Sequence, residues 1–122
     1  MCAAHCLGEV VKVDYITDDI RDAVEKEYEE AIARFPMFHS PHEAIAIIAE
    51  ECEEAAEEMK HIEAHLRLAW DLIKQNNIRS FEQIDMLEAI AERLAIEACQ
   101  VAAMCIKTRE SSESWKGFTD HV

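Results

Sequence analysis

The chain has 122 residues, half of them hydrophobic, and a formal net charge of −14. That length supports one domain around one core, and the acidic balance excludes nucleic-acid polymers, whose phosphates it repels. Only two glycines and two prolines are present, which leaves little material for β-turns and favours helices. The expected fold is therefore all-α, an antiparallel bundle of three main helices. No run approaches the roughly 18 apolar residues of a membrane span. The start, MCAAHCLGEVVKVD, lacks the basic and apolar regions of a signal peptide, so a cytoplasmic protein is expected. Five scattered cysteines, Cys2, Cys6, Cys52, Cys99 and Cys105, fit reduced thiols. Cys2, His5 and Cys6 fall short of the four ligands of a zinc site.

After an N-terminal segment of residues 1–16, the first expected helix spans 17–35. Thr17, Asp18 and Asp19 suit its N-terminus. Ile20, Val24, Tyr28, Ala31 and Phe35 recur at helical spacing, and Pro36 ends it. The second helix spans 41–76, with Ser40 as N-cap, Pro41 at the first helical position and Glu43 closing a capping box. Its seam, Ile45, Ile48, Cys52, Ala55, Met59, Ile62, Leu66, Ala69 and Ile73, alternates steps of three and four. The third helix spans 80–109, with Ser80 and Gln83 as a second capping box. Ile84, Leu87, Ala91, Leu94, Ala98, Val101 and Cys105 form its seam. Residues 110–122 read as a polar, loosely ordered tail. The short connection makes helices two and three antiparallel. Three helices with broad apolar faces bury little alone, so oligomerisation is expected to complete the bundle.

Lettered as heptads, the seams occupy positions a and d. Beside them run stripes at g and c: Ile47, Glu51, Glu54, Glu58, His61, His65, Leu68 and Leu72 on helix two, and Met86, Ile90, Arg93, Glu97, Gln100 and Met104 on helix three. In an antiparallel pair the two g sides face each other, so the polar centres of the stripes meet. Converging carboxylates repel unless something neutralises them, and a hard divalent cation such as Mg²⁺ does so economically. Glu51 and Glu54, three apart, can share one ion, with Glu50 one turn before Glu54. Other acidic positions, Glu53, Glu57, Glu63 and Glu82, read as a solvated face.

Glu50-Glu51-Cys52-Glu53-Glu54 and, on the next helix, Glu97-Ala98-Cys99-Gln100 resemble the Glu-Glu-x-x-Glu and Glu-x-x-Asp motif of the all-α NTP pyrophosphohydrolase (MazG-like) superfamily. HSPHEAIAIIAEECEEA and AIEACQVAAMCIK are similar to its small phage-type members, and the resemblance covers about residues 39 to 107. It implies hydrolysis of a nucleoside triphosphate, often a deoxynucleotide, to monophosphate and pyrophosphate. On that resemblance Mg²⁺ (or Mn²⁺) would be held by Glu51, Glu54 and Glu97. Glu50 would help hold the ion or orient water, and Gln100 would bond a metal-bound water. Lys60, Arg93, Lys107 and Arg109 are candidate phosphate contacts, and a homodimer or homotetramer is implied. Gln100 departs from the motif, standing where Asp is expected. The interval between the halves is also long: a turn centred near residue 78 would put Glu97 opposite about Glu58, making Glu58 and His61 rival ligands.

Two other classes are open. Glu58-Met59-Lys60-His61 is a Glu-x-x-His, as in ferritin-like di-metal oxidases, but those need two such motifs and two further glutamates. Alternatively the chain is a catalytically inactive helical oligomerisation or interaction protein, with Trp70 and Trp115 as anchors for a partner.

Overall fold

A computed structural model describes the backbone of residues 3–118 and the side chains of residues 16–118. Three α-helices follow one another: α1 Ala3–Arg34, α2 Pro41–Lys74 and α3 Ser80–Ser111, with a 3-10 turn, Ser112–Ser114, after α3. The all-α antiparallel bundle expected from composition is the observed fold. α2 and α3 form the main interface, and α1 packs against α3.

The α2 N-terminus forms as its residues dictate. Ser40 Oγ accepts a hydrogen bond from the Glu43 backbone N–H at 3.1 Å, and Pro41 opens the helix. Glu43 Oε2 in turn accepts from the His39 backbone N–H at 3.3 Å, one residue further out than a capping box requires. At the other end, Asn76 takes a left-handed φ of 51°. The Asn76 N–H reaches Ile73 O at 2.9 Å and the Asn77 N–H reaches Leu72 O at 2.9 Å. This pair of bonds is a Schellman closure with asparagine, which tolerates that φ, in the glycine position.

Three expectations are corrected. α1 begins at Ala3, so Thr17, Asp18 and Asp19 lie inside the helix and not at its start. Residues 3–16 contain no proline, and the single Gly8 costs only about 1 kcal/mol in a helix interior. The second capping box does not form: α3 has no side-chain cap bond, and Gln83 Oε1 lies 2.6 Å from His65 Nδ1 instead. The tail is not loose as far as residue 118. Trp115 is buried, its Nε1–H donates to Phe38 O at 2.8 Å, and its ring meets Phe118 edge-on at 5.2 Å. The Phe38 N–H in turn donates to Ser111 Oγ at 3.0 Å. Trp115 is thus an internal clamp on the α1–α2 connection, not a partner anchor, while Trp70 is exposed. The Cys2, His5 and Cys6 side chains and residues 119–122 lie outside the described ones.

The seam between α2 and α3 is rotated from its expected a/d line. Positions d and g turn inward: on α2, Ile48, Glu51, Ala55, Glu58, Ile62, His65, Ala69 and Leu72 are at least half-covered. On α3, Gln83, Leu87, Ile90, Leu94, Glu97, Val101 and Met104 match them. The a row of α2 is left outside. No described helix is long and apolar enough to cross a membrane.

Replacing Trp115 by alanine deletes the clamp and leaves a cavity, so a loss of about 3 kcal/mol or more is expected. Denaturant unfolding of the Trp115→Ala variant checks this; a loosely attached tail would leave the midpoint unchanged.

Candidate metal centre

The g-inward rotation places carboxylates inside a helix seam, and the register decides which ones meet. Glu58 Oε2 accepts from Arg93 Nε at 3.2 Å, Glu54 faces Glu97 within hydrogen-bond reach, and Glu51 lies beside Gln100. These three pairings share one register, which centres the antiparallel pair between Gln75 and Asn76. The tight closure at Asn76 shifts the centre from residue 78 and brings Glu97 to Glu54 instead of Glu58. Glu58 is therefore an arginine partner and not a ligand.

Glu51, Glu54 and Glu97 each offer a carboxylate oxygen, and these oxygens lie within 4.8 Å of one another. They form a group able to hold a metal ion. Burial raises the Glu51 carboxyl above its ordinary 4.5, helped by the charges of Glu54, Glu50 and Glu27. Burial likewise raises Glu97, together with its bond to Glu54 and the charges of Glu54, Glu51 and Glu58. Carboxylates that resist ionising together are what a cation relieves. An all-oxygen donor set suits a hard dication. With its NH₂ group turned to the carboxylates, Gln100 donates to Glu51 Oε2 at 3.2 Å and to Glu97 Oε2 at 3.0 Å.

The cluster adjoins a cavity of about 470 Å³, whose wall includes Glu51 and Gln100. α1 contributes Glu27, Glu30, Ala31 and Arg34 to this wall, the α1–α2 connection Phe35 and Phe38, and α3 Met104 and Lys107. Lys107 is 3 % exposed, with Nζ 4.4 Å from the Phe38 ring centroid. Burial lowers its pKa, which Glu43 partly offsets. Arg34 stands at the rim, paired with Glu30 at 2.9 Å.

The structure thus brings together Glu51, Glu54, Glu97 and Gln100, with Lys107 in the wall of the adjoining cavity. Glu50 is exposed but close enough to raise Glu51. Lys60 is exposed and absent from the cavity wall, Arg93 is occupied by Glu58, and Arg109 is exposed. His61 lies 3.9 Å from Glu57, and among the described residues neither Glu58 nor His61 belongs to a group able to hold a metal ion. Glu27, Glu30 and Arg34 went unnoticed in the sequence, since on α1 they look like any solvated charges. No protein-family model, curated protein or solved structure matches the chain.

Both raised carboxyls bind protons more tightly folded than unfolded. Their stabilising contribution is fully present below 4.5 and is lost as pH rises through the raised folded values. Metal-free protein is therefore expected to melt lower as pH climbs above 4.5, with a shallower slope in Glu51→Gln. A divalent cation at a hundred times its Kd adds about 2.7 kcal/mol, on the order of 10 °C, at neutral pH and little near pH 4.5. Calorimetry with and without Mg²⁺ checks both; a cation effect independent of pH would contradict this centre.

Proposed function

We propose that this chain is a Mg²⁺-dependent nucleoside triphosphate pyrophosphohydrolase, cleaving a (d)NTP to (d)NMP and pyrophosphate. The observation that carries the reading is a hard three-carboxylate cluster whose Glu51 lines a cavity that also has a buried cation, Lys107, in its wall. Such a cavity takes a ligand that is anionic at both ends of its phosphate chain and apolar elsewhere. The partial match to the pyrophosphohydrolase motif supports the same class.

In this mechanism Glu51, Glu54 and Glu97 would hold the ion, Mg²⁺ or Mn²⁺, whose positive charge would offset the negative charge that builds on the phosphates. Gln100 would present its amide carbonyl oxygen to the centre when an ion is held there. Lys107 Nζ contacts phosphate oxygens from the cavity wall, released from its position over the Phe38 ring, and Arg34 in the same wall adds a second cation. Glu50, on the outer side of the cluster, accepts the proton of the water that attacks phosphorus. The P–O bond to the leaving pyrophosphate breaks, and pyrophosphate departs with the bonding electrons.

A second reading, an inactive helical protein of the same fold, is favoured by Gln100. Its amide gives Glu51 and Glu97 a neutral hydrogen-bond partner, so the cluster has some relief without a cation. Pyrophosphate release from a panel of NTPs and dNTPs with Mg²⁺ or Mn²⁺ separates the two. Turnover that falls about 100-fold or more in Glu51→Gln is expected, the loss of several kcal/mol of charge stabilisation. No turnover with any nucleotide, combined with unaltered melting in Mg²⁺, leaves the inactive reading. Lys107→Met removes a buried charge, so it should keep or raise the melting temperature while raising KM at least about tenfold. A lysine with only a packing role would leave KM unchanged.

A further inference from the structure

Lys107, Ser111 and Trp115 follow one another at steps of four along the end of α3 and the turn after it. All three act on one residue of the α1–α2 connection. Ser111 Oγ accepts from the Phe38 N–H at 3.0 Å, and Trp115 Nε1–H donates to Phe38 O at 2.8 Å. Lys107 Nζ stands 4.4 Å from the Phe38 ring centroid. All four residues are buried. With bonds on both its N–H and its carbonyl, the Phe38 backbone is held from two sides, and its ring keeps only the rotamers of one side chain. That ring is a fixed backing for the lysine.

Packing alone does not explain Lys107. Among the described residues it has no ion pair, although Glu43 of α2 and Glu30 and Arg34 of α1 share the cavity wall with it. Burial lowers its pKa by more than Glu43 restores. A methionine would fill the same space over the ring without a desolvated charge. The lysine lines the cavity, and a cation stripped of water draws an entering anion more strongly than a hydrated one. Ser111 and Trp115 are absent from that wall. Trp115 lines a separate groove with His39, Ser40 and Lys116, so neither residue meets a ligand held in the cavity.

We infer that Ser111 and Trp115 are positioning residues for the cavity: by holding the Phe38 backbone they fix the ring against which Lys107 rests, and so set how strongly the cavity takes a phosphate-bearing anion. Loosening either bond lets the ring shift and water reach the amine. The lysine then titrates closer to an ordinary one, and its pull on an anion falls. Anion affinity is thus governed in part from the turn after α3, outside the cavity wall. The link from clamp to lysine stands without the proposed activity; its effect on nucleotide binding rests on that activity.

The test follows isotope-labelled lysine by NMR through a pH titration of the full chain, with Lys107→Met identifying the resonance. Trp115→Phe keeps an aromatic ring and loses the N–H donor, while Ser111→Ala loses the acceptor. In each, the Lys107 midpoint should rise toward the ordinary 10.5. Ile90→Val, a small core truncation well before Lys107 on α3, lowers stability and should leave the midpoint in place. Binding of inorganic pyrophosphate, read by calorimetry, should weaken about threefold or more in both clamp variants. Where nucleotides turn over, KM should rise by a like factor with kcat kept within about twofold. A midpoint unmoved in both clamp variants, or moved equally by Ile90→Val, overturns the inference, as does pyrophosphate binding that is absent or unchanged. Absence of turnover together with a moved midpoint and weakened pyrophosphate binding counts against the proposed activity alone.

Discussion

Carboxylates packed between two helices lose hydration and feel their neighbours' charge, and Glu51 and Glu97, beside Glu54, do both. Such a seam holds only if its charges are answered. Further along, Glu58 is answered by Arg93 at 3.2 Å, an internal pair that closes the seam. At the trio the answer is incomplete. Gln100 brings two hydrogens and no charge, so burial and mutual repulsion show as raised proton affinity. The contrast between these neighbouring levels marks the candidate centre: the chain neutralises one turn with its own arginine and leaves the next able to take a cation.

The same rotation that carries glutamates into the seam carries aliphatic side chains out of it. A helix has one set of angles to spend, and turning g inward turns a outward. Ile45, Met59, Leu66 and Ile73 are exposed because Glu51, Glu58 and His65 are half-covered. Acidic centre and apolar outer face are two consequences of one helical phase. Turning the helices back to bury the a row within one copy would expose the carboxylates and disperse them.

Much of this was legible in the residues. Ser40, Pro41 and Glu43 marked the α2 start, the Ala- and Glu-rich heptads marked the helix pair, and the spacing of Glu51 and Glu54 marked half of the cluster, to which only the motif resemblance joined Glu97. The register was not legible, because it depends on how few residues the turn consumes. A left-handed Asn76 closes α2 in two residues, and nothing in Gln75-Asn76-Asn77 distinguishes that closure from a longer loop. Gln83 misled for a related reason: a capping residue with a better partner across the seam, His65, abandons the cap. The clamp of Trp115 on Phe38 links residues 77 apart in sequence, beyond the reach of any periodic pattern. The share of the cavity wall from α1 is hidden likewise, since Glu27 and Arg34 acquire meaning only once α1 is placed on α3.

Gln100 is where these constraints act on one side chain. An amide presents hydrogens on one side and an oxygen on the other, so it can face a cluster in either state. Toward bare carboxylates its NH₂ donates to Glu51 and Glu97; toward a cation its oxygen would serve as a weak ligand. Aspartate in the same place has no hydrogens to give, and a fourth carboxylate would add repulsion to a seam already straining against three. Glutamine therefore trades cation affinity for a seam that closes when the centre is empty. That exchange suits a chain whose α2–α3 pairing must hold both the centre and an outer apolar face in position.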